Sequence, residues 1–182
     1  EQVVELDRNG ALVSGGIDIN LSAIVGDSNG VVFDPITGSL FAADEIDERV
    51  RQFSSSSVLQ DTIDTDVLGS ADPEGIAINP LNGNLLIGDD LGRSNMELFE
   101  IARNGTLTST TDLSTLPGSP SDGDLLGLSV GGGRLFAGQG GDARVDIFSI
   151  DGAEKVPAPS TLVLLIGGIA ALGYRQKKQS ND

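Results

Sequence analysis

The sequence repeats itself with an offset of 45 residues, and this periodicity constrains the fold more than any other feature. Gly30–Asp44 reads GVVFDPITGSLFAAD, and Gly75–Asp89 reads GIAINPLNGNLLIGD. A glycine, a proline, a second glycine, a leucine and an aspartate recur at matching positions, and Gly127–Gln139 is a weaker third copy. Self-similarity at a period of 20–50 residues is typical of repeat architectures, in which each unit is one supersecondary element.

Each copy has the pattern of a strand, a tight turn and a return strand. In the first copy, Val31–Asp34 predicts a strand and Ser39–Ala43 predicts its partner. Between them, Pro35-Ile36-Thr37-Gly38 places proline and glycine where a β-turn favours them. No stretch before residue 156 shows a helical period, and Ser109–Ser121 is predicted to be a loop.

The outer part of the unit repeats as well. Glu5–Leu12 (ELDRNGAL) resembles Glu100–Leu107 (EIARNGTL), and both carry Asn-Gly, a strong short-range hairpin signal. Val50–Leu59 has a serine-rich turn in the same place, and Val145–Gly152 begins a further copy. The unit therefore contains four strands.

Four strands in about 45–50 residues are the size of one propeller blade. The local pattern resembles the repeats of NHL-like, gluconolactonase-like and phytase-like propellers. We therefore expect an all-β, partial β-propeller over residues 1–151, with about three four-stranded blades against four to eight in closed rings. An open arc exposes strand edges, so either the missing blades lie upstream or another protein pairs there. We also expect the precursor to extend upstream of Glu1 and to begin with an export signal.

The composition excludes several classes of function. The chain has no cysteine and no histidine, which excludes disulfides, thiol nucleophiles, Ser-His-Asp hydrolysis and histidine-ligated metals. Its formal net charge is −16, so nucleic acid and anionic lipid are poor partners. Divalent cations are compatible with such a surface, as is a purely solubilising role for the acids.

The C-terminal tail has three parts in a fixed order. Pro157 and Pro159 prevent a helix from crossing residues 152–159, which are predicted to be a linker. About 15 apolar residues follow, enough for a helix of roughly 22 Å, which is short against a ~30 Å hydrocarbon core. Arg175, Lys177 and Lys178 then fit a cytoplasmic anchor. Residues 160–182 are thus predicted to be a single transmembrane helix with a basic end.

This tail resembles a PEP-CTERM sorting signal, a pattern of exported proteins in exopolysaccharide-producing Gram-negative bacteria. The matching sorting motif comprises Val156, Pro157, Ala158, Pro159, Ser160, Arg175, Lys177 and Lys178, with Ala158 where the family usually has glutamate. The resemblance implies processing by an exosortase-type transpeptidase, anchoring in the inner membrane, removal of the helix, and delivery to the cell surface.

Acidic residues recur at two places in the repeat, before the first strand and after the second. Because these two places lie at one end of an up-and-down blade, we expect the acids to share one face. The acids before the first strands are Asp27, Asp72, Glu74, Asp122 and Asp124, and the acids after the second strands are Asp44, Glu45, Asp89 and Asp90. Ca²⁺ prefers such oxygen ligands, and Glu74, Asp89 and Asp90 are the predicted metal ligands. Ordinary acidic turns are the alternative.

Taken together, the sequence predicts an exported, surface-directed, propeller-like binding or scaffold protein associated with exopolysaccharide or the biofilm matrix. No catalytic residues are predicted. The alternative is a calcium-dependent propeller hydrolase of lactonase or phytase type, in which a metal-bound water replaces histidine. Adhesion through the open strand edge is a third interpretation.

Overall fold

The computed structural model describes residues 2–21, 26–90, 96–115, 125–140 and 144–150. Within these ranges the protein consists of antiparallel β-sheets and two short 3₁₀ turns, Asp66–Leu68 and Leu113–Thr115. None of the helices in these ranges has the length and apolar character that a membrane crossing requires. The predicted C-terminal helix and the sorting motif lie outside the described residues.

Two complete four-stranded sheets follow each other along the chain, as the repeat predicts. The first sheet contains β3 (Ser28–Asp34), β4 (Ser39–Asp44), β5 (Arg49–Ser54) and β6 (Leu59–Asp64). The second sheet contains β7 (Pro73–Ile78), β8 (Leu85–Asp90), β9 (Met96–Ile101) and β10 (Leu107–Asp112). Strands are hydrogen-bonded in chain order in both sheets, which is the up-and-down arrangement of a propeller blade.

Two smaller sheets flank this pair. The third sheet contains β11 (Leu125–Gly131), β12 (Arg134–Gln139) and β13 (Arg144–Ser149). The N-terminal hairpin contains β1 (Gln2–Val4) and β2 (Asp18–Asn20), with a further bridge between Leu6 and Leu12. The fold is therefore all-β and propeller-like.

The turns have the backbone geometry that their residues predict. Gly38, which closes the β3–β4 turn, has a φ of 71°, a value that glycine adopts without steric cost. Gly10 and Gly105 have φ values of 82° and 81° in the two Asn-Gly hairpins. The loop predicted from Ser109 was wrong at its start, because the threonine-rich segment to Asp112 forms strand β10.

Three apolar clusters lie between successive sheets. The first includes Phe41, Val50, Ile76 and Phe99, and fills the space between the first and second sheets. The second includes Leu86, Leu125 and Phe148, between the second and third sheets, and the third includes Ile19, Leu40 and Phe53, beneath the N-terminal hairpin. Strand β4 is buried along its whole length because it is covered on both faces.

Arg103 joins the first two sheets at the end opposite the acidic turns. Its guanidinium lies 3.0 Å from a carboxylate oxygen of Asp34 and 4.5 Å from the centroid of the Phe41 ring. Its Nε also donates to the Gly83 carbonyl oxygen at 2.6 Å. Burial acts to raise the pKa of Asp34, but the Thr37 hydroxyl, backbone amides and Arg103 outweigh it, so that pKa is lowered.

Candidate functional site

The acids at the end of the second strand are buried and hold the preceding loop. Asp44, at the end of β4, is fully buried and accepts the amide N–H groups of Gly26, Asp27 and Asp47 at 3.0–3.3 Å. It also forms a buried ion pair with Arg51 on β5. Burial lowers the pKa of Arg51, although the guanidinium stays paired with Asp44 and with Asp47. This carboxylate is therefore structural.

The second sheet has the same aspartate without the arginine. Asp89 is the repeat equivalent of Asp44; it is also fully buried, and it accepts the Asp72 amide N–H at 3.1 Å. In the strand register, the position of Arg51 is occupied by Phe99, so no guanidinium reaches Asp89 from there. The Oδ1 atom of Asp89 has no hydrogen-bond partner in the described part of the chain. Burial accordingly raises the pKa of Asp89.

This raised pKa predicts a pH effect on stability. A folded state that binds the proton more tightly than the unfolded state gains stability at low pH. The contribution of Asp89 should therefore be fully present below the ordinary value of 3.8 and be lost as pH rises through the folded pKa. In thermal melts between pH 3.5 and 7, the Tm of the Asp89→Asn variant should rise relative to the Tm of the wild-type protein as the pH increases. A constant difference between the two proteins across that range would contradict the prediction.

The third sheet fills the equivalent positions in a third way. Gln139 replaces the aspartate, and its Nε2 donates to an Asp146 carboxylate oxygen at 2.6 Å. Asp146 stands where Arg51 stands in the first sheet, and it pairs with Arg144 at 2.8 Å. This position in the second strand is therefore polar in all three sheets, as Asp44, Asp89 or Gln139. The charged residues around it differ from sheet to sheet.

An acidic cluster forms between the first two sheets. Glu45 lies in the β4–β5 turn. Its carboxylate converges with those of Asp72, the residue before β7, and Glu74, the second residue of β7. One carboxylate oxygen from each lies within 4.8 Å of the other two, and all three side chains are half-buried. A Glu45 carboxylate oxygen also accepts the Asn29 side-chain N–H at 2.6 Å. Three converging carboxylates fit a hard divalent cation such as Ca²⁺.

The structure thus divides the three metal ligands that the sequence predicts. Glu74 lies in the acidic cluster. Asp89 is not a member of that cluster, although its carboxylate accepts the Asp72 amide N–H, and the Asp90 side chain is outside the described residues. Sequence reasoning placed Glu45 and Asp72 on the same face but did not select them. The sequence does not show that the turn after β4, which holds Glu45, contacts the segment before β7, which holds Asp72.

Comparisons with known proteins indicate the fold. No protein-family model matches the sequence, and no curated protein matches it. Among solved structures, the chain is similar to virginiamycin B lyase from Staphylococcus aureus, with a TM-score of 0.54 and 13% identity over 86% of this chain. Sqt1 from Saccharomyces cerevisiae matches with a TM-score of 0.53 and 12% identity over 86% of this chain. Hydrazine synthase from Kuenenia stuttgartiensis matches with a TM-score of 0.53 and 13% identity over 73% of this chain.

The first two of these are β-propeller proteins, which supports the propeller-like body. The chain spans 55%, 41% and 35% of the lengths of the three solved chains, in the order given. At such identities the likeness concerns the fold alone.

Proposed function

We propose that this chain is an exported, surface-directed, β-propeller-like binding or scaffold protein that carries a PEP-CTERM sorting signal. The observation that supports this most is the order of the tail, in which Pro157 and Pro159 precede an uncharged apolar run and Arg175 follows it. This tail is attached to an acidic, propeller-like body. An exosortase-type enzyme and the inner membrane are the implied partners, and exopolysaccharide or the biofilm matrix is the implied destination.

The use of the buried polar groups favours binding over catalysis. Asp34 and Asp44 each form ion pairs and accept backbone N–H groups, so their carboxylates are occupied in holding loops and sheets together. The sequence also offers no histidine or cysteine that could act as a base or nucleophile near neutral pH.

The sorting proposal is tested on the tail itself. Residues 152–182 are fused to a periplasmic reporter with its own leader and expressed in a bacterium that contains an exosortase. We expect the reporter to enter the inner-membrane fraction and then to appear, shortened, at the cell surface. The matched control replaces Arg175, Lys177 and Lys178 with alanine. A reporter that stays soluble in the periplasm, or equal processing of the control, would contradict the proposal.

A second candidate function, calcium-dependent hydrolysis, is favoured by the acidic cluster of Glu45, Asp72 and Glu74. A Ca²⁺ ion held there would supply a polarised water for attack on a lactone or a phosphate ester. The carboxylates of the cluster would bind and orient the ion. This candidate requires that calcium binds to the cluster before any activity is considered.

Calcium binding gives a measurable stability change. At a free concentration 100 times the Kd, a ligand that binds only the folded state adds about 2.7 kcal/mol to the free energy of unfolding. We therefore expect Tm to rise by several degrees in millimolar CaCl₂ and to return to its starting value with EDTA.

The variant Glu45→Gln/Glu74→Gln should abolish the calcium shift, whereas Asp61→Asn on exposed strand β6 should retain it. No shift in the wild-type protein would remove the calcium site and the hydrolase together. A shift without hydrolysis of a lactone or phytate would leave only a structural ion.

A further inference from the structure

The chain leaves the propeller-like body at one particular end of the sheets. Strand β13 is antiparallel to β12 and ends beside the β11–β12 turn, where the Ile150 amide N–H donates to the Gly133 carbonyl oxygen at 3.3 Å. In the first two sheets, this end holds the β3–β4 turn (35–38) and the β7–β8 turn (79–84). We call it the exit end, and we call the end that holds the β4–β5 turn (45–48) the acidic end.

The exit ends of the three sheets lie side by side. A cleft of about 490 Å³ opens there, and its lining includes Pro35 and Ile36 from the first sheet, Pro80 from the second and Val130 from the third. The turns of successive sheets therefore form one face of the body.

Apolar side chains project from the turns of the exit end. Ile36, Val58 and Leu81 are 91%, 60% and 68% exposed. Ile36 and Leu81 occupy the same turn position in the repeat. The second sheet, which carries Leu81, is packed between the first and the third, so the exposure of Leu81 does not depend on any further unit.

The two ends of the body also differ in charge. Among the described residues, the charged side chains in and beside the turns of the exit end are Asp7, Arg8, Asp34, Arg103 and Arg134, so arginines outnumber acids there. The acidic end instead contains the sequences DEIDE and DTD in its turns. Much of the negative charge of the chain therefore lies away from the exit end.

The acidic end has exposed apolar side chains too, but carboxylates flank them. Ile46 is 67% exposed and lies between Glu45 and Asp47. Ile36 and Leu81 have uncharged residues on either side. An anionic lipid surface repels carboxylates and attracts arginines, so the apolar side chains of the exit end can approach such a surface at a much lower cost.

We propose that the exit end docks on the lipid bilayer that holds the tail. The side chains of Ile36, Val58 and Leu81 insert at the boundary between headgroups and acyl chains, and the acidic end faces away from the bilayer. The exposed Arg8 guanidinium pairs with a lipid phosphate. This inference rests on the proposed anchoring of residues 160–182 in the membrane.

The short connection to the tail makes a weak docking contact sufficient. Fully extended, residues 151–159 span at most about 30 Å, so the body stays beside the bilayer in which the tail is inserted. A tether of this length gives an effective concentration on the order of millimolar. A few inserted side chains can then hold the exit end against the membrane.

The test measures the depth of single tryptophans, because the natural sequence contains none. The full chain is reconstituted into vesicles of phosphatidylethanolamine and phosphatidylglycerol with brominated acyl chains, which quench tryptophan fluorescence. We expect quenching of the Ile36→Trp and Leu81→Trp variants to be about threefold stronger than quenching of Ile46→Trp. Ile46 is the matched control, since it is equally exposed but lies at the acidic end.

A charged substitution tests whether the apolar contact causes the docking. Leu81→Asp, added to the Ile36→Trp variant, should reduce quenching to the level of Ile46→Trp. Because these side chains are exposed, circular dichroism should show that the variants stay folded. The Tyr174→Trp variant reports separately whether the tail is inserted.

The outcomes separate this inference from the proposal on which it rests. If Tyr174→Trp is quenched, equal quenching of Leu81→Trp and Ile46→Trp would overturn the docking and leave the anchored tail intact. Quenching of Ile36→Trp that is insensitive to Leu81→Asp would also overturn it. An unquenched Tyr174→Trp variant would contradict the anchoring of the tail, and the docking inference with it.

Discussion

Replacing Asp44 with asparagine should lower the free energy of unfolding by about 3–5 kcal/mol, the usual cost of removing one partner of a buried ion pair. Asp44 is fully buried, and the Arg51 side chain paired with it is only 7% exposed, so the substitution leaves a guanidinium with weak access to water and with Asp47 as its remaining ion-pair partner. The same substitution weakens two backbone hydrogen bonds that fix the loop before β3 and one that fixes the β4–β5 turn. Urea unfolding followed by circular dichroism measures this loss directly.

The equivalent substitution in the second sheet is the matched control. Asp89→Asn removes a buried carboxylate that has no cation in the Arg51 position, so we expect a change within about 1 kcal/mol at neutral pH. The double variant Asp44→Asn/Arg51→Met should regain most of the loss, since the buried guanidinium is gone and the Asp47 carboxylate, 43% exposed, stays solvated. Equal losses for Asp44→Asn and Asp89→Asn would show that the ion pair is not the source of the stability.

Alanine at Gly30 or Gly75 should destabilise the body by about 3 kcal/mol, at the upper end of overpacking effects. The new Cβ at residue 30 would meet the Glu74 carbonyl oxygen at 2.3 Å, and at residue 75 it would meet the Leu128 amide nitrogen at 2.8 Å. Both contacts are with backbone, which cannot move aside as a flexible side chain can. The first strands of neighbouring sheets would have to separate.

Gly127 is the third member of this series and provides the control. Among the described residues, no atom lies within 4 Å of a Cβ placed there. Gly127→Ala should therefore be neutral or stabilise the body by roughly 0.5–1 kcal/mol, because alanine loses less backbone entropy in a strand. Thermal or urea unfolding of the three single variants is sufficient. A loss at residue 127 as large as at residue 30 would attribute the effect to strand propensity instead of close packing.

The repeat predicted the local structure well because each hairpin is encoded within about 15 residues. The predicted strands Val31–Asp34 and Ser39–Ala43 correspond to β3 and β4, and the predicted turn between them ends at Gly38, which has a φ of 71°. Ser109–Asp112 was predicted to be loop on the strength of its polar composition, but its threonines are β-branched and favour the strand that forms.

The contacts between units were much harder to predict. An offset of 45 residues shows that Asp44 and Asp89 are equivalent, but it does not show that Phe99 replaces Arg51 beside the second of them. Glu45 and Asp72 belong to different units, so their meeting depends on how successive sheets stack. The metal ligands and the sorting motif that the sequence predicts stay predictions.

The glycines on the first strands also set the geometry of the whole stack. Adjacent sheets nearly touch at Gly30 and Gly75, whereas Phe41, Phe99 and Phe148 keep them apart further out, so each gap is a wedge. The angle of this wedge fixes how far each sheet rotates from the last, and hence the circumference on which further units can be placed. Larger residues at the narrow end would reduce this angle, so Gly30 and Gly75 contribute to the curvature of the stack.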